Sequence, residues 1–393
     1  TGLGAETTPG RKRSCIMNNT PEIKVLQAIR QGLIGGGESH VLSLVDAMDK
    51  ERFEPVVLSF TDGPMITRLQ EMGIRHYVIP SLKAFDPSCW KRVKTLIQDE
   101  QIDIVHAHGS RAASNLYIPA RMSGRPLLYT IHGWSFHDDQ PFLQKQVRVW
   151  SERLLTSGTK ANISVSASNR DTGVKHFSGF RSTVINNGID LSRFNPGAIL
   201  PDVREELGIP ASNTVVGYIA RITHQKDPFT LIYAFKKVLE QYQDITLLVV
   251  GEGDLKDEMV SLAAAQGIAS QVVFQPFRGD VPALLQAIDI YCLPSLWEGL
   301  PIGLLEAMAM SRAVIVTAVD GSKEIVTDRQ NGLVVPARDP AALASAIGTL
   351  HSDVALRTSL QQAAAATVNQ HYCAKGMTRQ VEVLYRNVLD HKN

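Results

Sequence analysis

Two carboxylates stand eight positions apart in the segment SLWEGLPIGLLEAMAMSR (295–312). The apolar run AIDIYCLP (287–294) before it predicts a short buried strand that leads into a loop. The pattern from Gly303 to Met310 predicts a helix with its apolar side turned inward. Glu298 is therefore expected in the loop, and Glu306 one turn inside the helix.

This arrangement places both carboxylates at the carboxyl edge of a parallel sheet, beside a helix N-terminus that suits a phosphate group. A carboxylate repels phosphate, but it can accept hydrogen bonds from hydroxyls such as those of a ribose or a hexose. Two isolated glutamates at this spacing would more simply be one solvated charge and one charge that complements the helix dipole.

Two cations precede another predicted helix start. Arg221 and Lys226 are five positions apart, and Asp227 and Pro228 follow as the expected N-cap and first helical residue. A planar guanidinium and a point-charge ammonium beside a helix N-terminus could clamp a diphosphate. From the spacing alone, both would be interpreted as solvated loop cations.

Glycines and histidines follow predicted strands in the first half. Gly35 to Gly37 lie between a predicted strand (23–29) and a helical pattern, which brings backbone close to an anion. His106, His108 and His132 end two further predicted strands. For the first two we favour a structural role with the imidazole bonded to backbone, and Arg111 could face either an acceptor or solvent.

Strand and helix patterns alternate along the whole chain and restart after about residue 190, which predicts two doubly wound parallel sheets. We expect a flexible tail at 1–20, one Rossmann-like domain at 21–188, a second at 189–370, and a C-terminal helical segment at 371–393. A chain of 393 residues is long enough for two separate cores.

Composition narrows the function classes. Of the 393 residues 44 % are hydrophobic and 20 % charged, as in an ordinary globular protein, and no apolar run is long enough to cross a bilayer. Four scattered cysteines show no metal spacing, which favours a reduced, cytoplasmic compartment.

Residues 1–190 carry a net charge of +5 and residues 191–393 one of −4, so the first half could meet an anionic membrane surface. Scattered solvated charges would give the same asymmetry.

Four segments together resemble the C-terminal signature of glycosyltransferase family 4: EGLPIGLLEAMA (298–309), AVIVTA (313–318), GSKEIV (321–326) and NGLVVP (331–336). The segment VINNGIDLSRFNP (184–196) is similar to the link between the two domains of that family. The resemblance spans residues 23–385. It implies the α/β GT-B fold, in which two Rossmann-like doubly wound domains face a cleft and the last helix crosses back to the first domain.

The resemblance also implies roles for single residues. The catalytic set would be His132, Glu298, Arg221 and Lys226. His108 and Arg111, at and after a predicted strand end, are the acceptor-side candidates. The residues that would bind the donor are Gly35, Gly36, Gly37, Arg221, Lys226, Phe277, Glu298, Ile302, Gly303, Leu304 and Glu306. No metal is implied, because no Asp-x-Asp pair stands at a strand end and cationic side chains can stabilise the leaving diphosphate.

Several positions depart from the family pattern. Pro301 replaces a common glycine and has no N–H to offer a donor. Asp320 replaces the first residue of a glycine pair, which puts backbone contacts to the donor sugar in doubt. Ala220, Ser311 and Ala313 replace residues that are usually small or proline, and none of these changes removes a charged group.

The sequence therefore predicts a retaining hexosyltransferase that moves a hexose from a UDP-sugar or GDP-sugar to a hydroxyl acceptor, without a metal or other cofactor. The expected acceptor is a saccharide or lipid-linked saccharide of bacterial surface glycan biosynthesis, such as lipopolysaccharide or capsule. No nucleic acid partner is expected, and the location would be cytoplasmic, with peripheral contact at an anionic membrane. The alternatives are a GT-B nucleotide-sugar 2-epimerase and a non-catalytic GT-B scaffold.

Overall fold

The computed structural model describes residues 23–33, 35–137 and 139–390. The expected flexible tail at 1–20 lies outside these residues. The chain folds into two parallel sheets covered by helices, which confirms the predicted α/β architecture.

The first sheet has the strand order β3-β2-β1-β4-β5-β6-β7, and all its pairs are parallel. Its strands are β1 (Ile23–Ile29), β2 (Phe53–Ser59), β3 (Arg75–Val78), β4 (Ile104–His108), β5 (Leu127–Ile131), β6 (Ala161–Ser164) and β7 (Thr183–Val184). The helices between them are α1 (Gly36–Ala47), α2 (Pro64–Glu71), α3 (Pro87–Asp99), α4 (Ser110–Met122), α5 (Phe142–Gly158) and α6 (Ala167–His176). Strand β4 is buried at every position, as expected for a central parallel strand.

The second sheet has the order β10-β9-β8-β11-β12-β13 and is also parallel. Its strands are β8 (Thr214–Ile219), β9 (Ile245–Val250), β10 (Val272–Gln275), β11 (Ile290–Leu293), β12 (Ala313–Thr317) and β13 (Leu333–Val335). The helices of this half are α7 (Val203–Glu206), α8 (Pro228–Leu239), α9 (Lys256–Ala265), α10 (Val281–Ala287), α11 (Ile302–Ala309), α12 (Asp320–Ile325), α13 (Pro340–Ser352) and α14 (Val354–His371). Short 3-10 helices cover His224–Lys226 and Ala269–Gln271.

The last helix, α15 (Ala374–Asp390), leaves the second half and packs on the first. Its Met377, Val381 and Tyr385 lie in one apolar cluster with Val25 of β1 and Leu44 of α1. The predicted crossing of the C-terminal helix back to the first domain is confirmed.

Helix α5 begins later than the sequence pattern suggested. The sequence predicts an amphipathic helix over residues 138–155, because apolar Val147, Trp150 and Leu154 recur among polar residues. The helix covers Phe142–Gly158, and Pro141 is its N-cap. Proline disfavours helical backbone at the residue before it, so the helix cannot extend toward residue 138. Among the residues described, no helix combines the length and apolar character that crossing a bilayer requires.

Candidate active site between the two sheets

Glu298 lies in the loop between β11 and α11, where the sequence predicted it. The Lys226 ammonium forms an ion pair with its carboxylate, and the Ser295 hydroxyl donates a 2.6 Å hydrogen bond to the same oxygen. The side chains of Glu298 and Lys226 are only 6 % and 15 % exposed. The loop thus holds a partly desolvated charge pair at the carboxyl edge of the second sheet, and each member can still reach a polar ligand.

Glu306 lies in the second turn of α11, with buried Leu304, Leu305 and Met308 on the core side of that helix. Burial raises the pKa of Glu306 to about 7, and the positive charge of Arg193 in the interdomain link partly offsets this. Near neutral pH the group therefore exchanges between a carboxylate and a carboxylic acid. Both forms can bond a sugar hydroxyl.

Arg221 and Lys226 lie on the loop between β8 and α8, whose first turn is capped by Asp227 through the Thr230 amide. Arg221 is exposed. Its charge lowers the pKa of Glu38 in α1, but burial of Glu38 is the larger effect and raises that pKa to about 7. The cleft therefore sets a cation of one domain near an acid of the other.

Sequence reasoning missed Glu38. It stands in the first turn of α1, directly after the glycine run, and its side chain is buried. A glutamate in a first helical turn normally complements the helix dipole, so its type and position carried no functional signal. Only the fold brings it close enough to Arg221 for that charge to lower its pKa.

The glycine run at 35–37 also lies beside the site. Gly37 lies in the first turn of α1, where a Cβ atom would stand 3.8 Å from the His132 ring. Gly35 is the N-cap of α1, and Gly36 is exposed beside it. The first amides of a helix have no intrahelical partner and can bind an anion.

The remaining donor candidates surround the second sheet. Ile302, Gly303 and Leu304 form the first turn of α11, and Phe277 lies 41 % exposed in the loop after β10. An exposed aromatic ring at a sheet edge is available for stacking on a planar ligand.

His132 follows β5 and belongs to a chain of buried histidines. Its Nε2 lies 3.2 Å from Nδ1 of His108, whose Nε2 lies 2.8 Å from the Gln27 side-chain oxygen. The Gln27 amide donates to the Tyr385 hydroxyl of α15 over 2.8 Å. The same hydroxyl lies 2.6 Å from Nδ1 of His106. The crossing helix is thereby linked through side chains to the cleft.

The expectations for two histidines change, one of them on the acceptor side. His108 is 1 % exposed and bonded on both ring nitrogens, so it is not open to an acceptor. His106 is buried too, but its partners are the Tyr385 and Thr130 hydroxyls and not backbone, so the expected backbone bonding was wrong. Arg111 is partly buried and its guanidinium contacts the Leu82 carbonyl at the domain surface.

The two halves touch across the cleft. Gly299 packs against the His132 carbonyl so closely that a Cβ would overlap it. The Trp297 ring stacks on the His137 ring with 4.1 Å between centroids. Glu324 of α12 accepts hydrogen bonds from the Ala167 and Ser168 amides at the start of α6, at 2.9 and 2.7 Å. The site is therefore assembled from both domains.

The chain matches two family models that divide it between the domains. One, described as "Glycosyltransferase Family 4", matches residues 34–193. The other, described as "Glycosyl transferases group 1", matches residues 201–367. The chain belongs to glycosyltransferase family 4. It is an enzyme of the hexosyltransferase class that acts on a nucleotide sugar, and the resemblance and the enzyme class predicted from sequence are confirmed.

Relatives of assigned activity match most of this family 4 enzyme. The UDP-Gal:alpha-D-GlcNAc-diphosphoundecaprenol alpha-1,3-galactosyltransferase of Escherichia coli is 26 % identical over 348 residues, which is 85 % of this chain and 89 % of the relative. The phosphatidyl-myo-inositol mannosyltransferase of Mycobacterium leprae is 26 % identical over 86 % of this chain and 89 % of its own.

Solved structures share the architecture. Anabaena HepE, in complex with UDP and glucose, superposes with a TM-score of 0.82 at 23 % identity, covering 93 % of this chain and 100 % of that one. WaaG, a glycosyltransferase of lipopolysaccharide biosynthesis, superposes with a TM-score of 0.74 at 18 % identity over 91 % and 98 %. These likenesses confirm the predicted GT-B fold.

Proposed function

We propose that this enzyme is a retaining transferase that moves a hexose from a UDP-sugar to a hydroxyl of a lipid-linked saccharide in bacterial surface glycan assembly. The observation that carries the proposal is the convergence of Arg221, the Lys226–Glu298 pair and Glu306 on one sheet edge, opposite His132. A site for a nucleotide diphosphate sugar needs cations that bind the diphosphate and acids that accept hydrogen bonds from the sugar hydroxyls.

The donor would lie along this edge with its diphosphate between Arg221 and Lys226. Glu306 would bond the ribose hydroxyls, and Phe277 would contact the base. Amides of Gly35, Gly36 and Gly37 and of the first turn of α11 (Ile302, Gly303, Leu304) would complete the anion site. Glu298 and His132 would hold the hexose from opposite domains.

Uridine is favoured over guanosine as the donor base by the relatives. The name of the Escherichia coli relative specifies UDP-Gal, and the HepE structure contains UDP. A GDP-sugar remains the second choice, and which hexose is carried depends on single contacts around Glu298.

Transfer would need no metal, because Arg221 and Lys226 supply positive charge to the diphosphate as the glycosidic bond breaks. We assign no carboxylate as nucleophile: Glu298 is paired to Lys226, and Glu306 lies on the nucleotide side. The acceptor oxygen would therefore attack from the face that the diphosphate leaves. Its proton would pass to a diphosphate oxygen, and the anomeric configuration would be retained.

A lipid-linked acceptor requires contact with a membrane, and α5 offers a surface for it. The side chains of Phe142, Leu143, Val147 and Trp150 are 65–78 % exposed along this helix. The helix also carries Lys145, Arg148 and Arg153, and its one acid, Glu152, is buried against Ser110 and Tyr129. An apolar stripe among cations fits an anionic lipid surface at the cytoplasmic face of the cell membrane.

We place the domain boundaries at residues 188 and 189 and at 370 and 371, because the chain crosses between the sheets at both points. The two crossings are hydrogen-bonded to each other: the Ile189 amide donates to the Tyr372 carbonyl over 2.9 Å, and the Ala374 amide donates to the Ile189 carbonyl over 2.8 Å. Both strands of this link would bend together when the cleft opens and closes.

The test combines UDP-sugars with a saccharide linked to a polyprenyl diphosphate and measures release of UDP and the anomer formed. We expect UDP release that depends on acceptor, an anomer that matches the donor, and full activity in excess EDTA. Release without acceptor would favour the epimerase or a hydrolase. An inverted product, or activity lost in EDTA and restored by Mg²⁺ or Mn²⁺, would overturn the mechanism.

A further inference from the structure

Three histidines on three different elements converge beside the cleft. His40 of α1, His108 of β4 and His132 after β5 each offer a ring nitrogen, and the three nitrogens lie within 4.8 Å of one another. His40 and His108 are 2 % and 1 % exposed, whereas His132 is partly exposed toward the cleft. The donor-site assignment uses only His132, so His40 has no role in it.

The hydrogen-bond partners fix which nitrogen of His40 is free. The Asn187 amide nitrogen donates to the Leu300 carbonyl over 2.8 Å, so the Asn187 oxygen must be the atom that faces His40. That oxygen lies 2.9 Å from Nδ1 of His40, which therefore carries the proton. Nε2 of His40 is left with a lone pair, and it is buried without a hydrogen-bond partner among the described residues. A buried unsatisfied nitrogen is costly unless a ligand uses it.

His108 is oriented in the same way. Its Nε2 faces the Gln27 oxygen at 2.8 Å and is the protonated nitrogen, which leaves the lone pair on Nδ1 toward His132. Metal-bound histidines in proteins usually donate their second ring N–H to an oxygen acceptor of this kind, which sets the tautomer and the ring orientation. Two of the three rings already have this second partner.

The spacing matches a tetrahedral ion. Zn–N bonds of about 2.0–2.1 Å imply N···N separations of roughly 3.3 Å and ring centroids roughly 5 Å apart. The centroids of the three rings lie 4.7, 5.3 and 5.5 Å apart, and the nitrogens of His108 and His132 lie 3.2 Å apart. Burial also lowers the pKa of all three imidazoles, that of His40 to about 4, so at neutral pH the rings are uncharged and each has one nitrogen lone pair for a metal.

We propose that His40, His108 and His132 form a three-histidine site for a zinc-class divalent ion, with the fourth coordination position open to the cleft. Bound zinc would occupy His132 and so block the donor sugar, which makes the ion an inhibitor and not a cofactor. Metal binding itself does not depend on the transferase assignment. Only the inhibition rests on the proposed function.

The test titrates Zn²⁺ by calorimetry into tag-free protein that has been stripped with EDTA, and repeats the titration with Co²⁺ while recording the visible absorption of a four-coordinate ion. We expect one ion per chain and the tetrahedral Co²⁺ spectrum. His40→Asn keeps a donor for the Asn187 oxygen but has no atom at the Nε2 position, so it should weaken zinc binding at least tenfold. His132→Ala, at the partly exposed edge, gives the same test with less risk to the core.

His371→Ala removes an exposed histidine that is not part of the cluster and should bind zinc as the wild type does. Equal affinity in wild type, His40→Asn and His132→Ala would overturn the site and identify the binding as adventitious. No binding at micromolar zinc would also overturn it. If zinc binds through the three histidines but the protein transfers no sugar from any donor, the site stands and the proposed function fails.

Discussion

At the residue scale, the ion pair between Lys226 and Glu298 is the feature that changes how the site should be probed. The two residues were expected to serve different parts of the donor, one the diphosphate and the other the hexose. In the structure they contact each other and share the Ser295 hydroxyl. Removing either one therefore leaves the other partly buried and unpaired, which costs more than the lost contact alone.

The pair gives a prediction for UDP binding. Lys226→Met should weaken UDP by about 3 kcal/mol, because it removes a cation and leaves Glu298 to repel the diphosphate. Arg221→Ala should cost about 2 kcal/mol, the scale of one charge-assisted hydrogen bond. The double variant Lys226→Met/Glu298→Gln should bind UDP more tightly than Lys226→Met. Calorimetry measures all three, with exposed Lys237→Met as the control.

If Arg221→Ala and Lys226→Met both bind UDP as the wild type does, these two cations do not bind the diphosphate. A double variant no better than Lys226→Met would show that Glu298 does not face the phosphate.

Residue types at strand ends and helix starts were predictable, but their partners were not. Glu298, Glu306, Arg221 and Lys226 stood out by their positions after apolar strands and near helix starts, but their roles came only from the resemblance to family 4. Glu38 and His40 were missed, since a first-turn glutamate and a helix histidine have ordinary structural explanations. Arg221 acts on Glu38 only because the two domains meet, and the hydrogen bond between His40 and Asn187 joins residues 147 positions apart. Local patterns contain neither relation.

At the element scale, the sequence pattern predicted that α5 is a helix, but packing decides which of its faces is buried. The period of its apolar residues predicted a helix, but not that Leu143, Val147 and Trp150 would stay exposed. In most helices such a stripe faces the core. Here the buried side of α5 includes Glu152, Leu155 and Thr156, and the stripe is left for another surface.

The exposed stripe predicts binding to vesicles that contain phosphatidylglycerol, weakening steeply as salt is raised. Val147→Ser/Trp150→Ser should reduce binding at least tenfold, since burying each apolar side chain contributes about 1.5–3 kcal/mol. Tyr233→Ser, at an exposed aromatic on α8, is the control and should bind normally. Flotation with vesicles measures this. Equal binding to neutral vesicles, or no effect of the double variant, would contradict the proposal that α5 binds an anionic membrane.

At the scale of the whole molecule, alternation of strands and helices was enough to predict two parallel sheets, because each crossover needs a helix. The resemblance to family 4 also predicted the cleft between the domains and the last helix that crosses back to the first domain. What the sequence could not show is how α15 is held: Tyr385 bonds Gln27 and His106, which are 358 and 279 positions away. Contacts between residues so distant leave no periodic trace.

This buried chain predicts how stability depends on pH. Burial lowers the pKa of His106 to about 3, below its value of 6.5 in an unfolded chain. The unfolded state therefore binds a proton that the folded state does not, and stability is lost as pH falls below 6.5, by about 1.4 kcal/mol per pH unit. Urea unfolding at pH 7.5 and pH 5 should show the stability advantage of the wild type over His106→Gln shrinking by about 2 kcal/mol.

Exposed His371→Gln serves as the control in that experiment and should show no such change. A stability difference between wild type and His106→Gln that is the same at both pH values would show that His106 is not held neutral.

The measurement that tests the central claim most directly is a titration of UDP and UDP-sugars into the wild type, Glu306→Ala and Glu298→Ala. The account predicts that UDP binds and that Glu306→Ala weakens UDP and UDP-sugar alike, since Glu306 is assigned to the ribose. Glu298→Ala should lose mainly the increment that the sugar adds. If no nucleoside diphosphate or its sugar binds, or if Glu306→Ala binds UDP as the wild type does, the assignment of this sheet edge to the donor is contradicted.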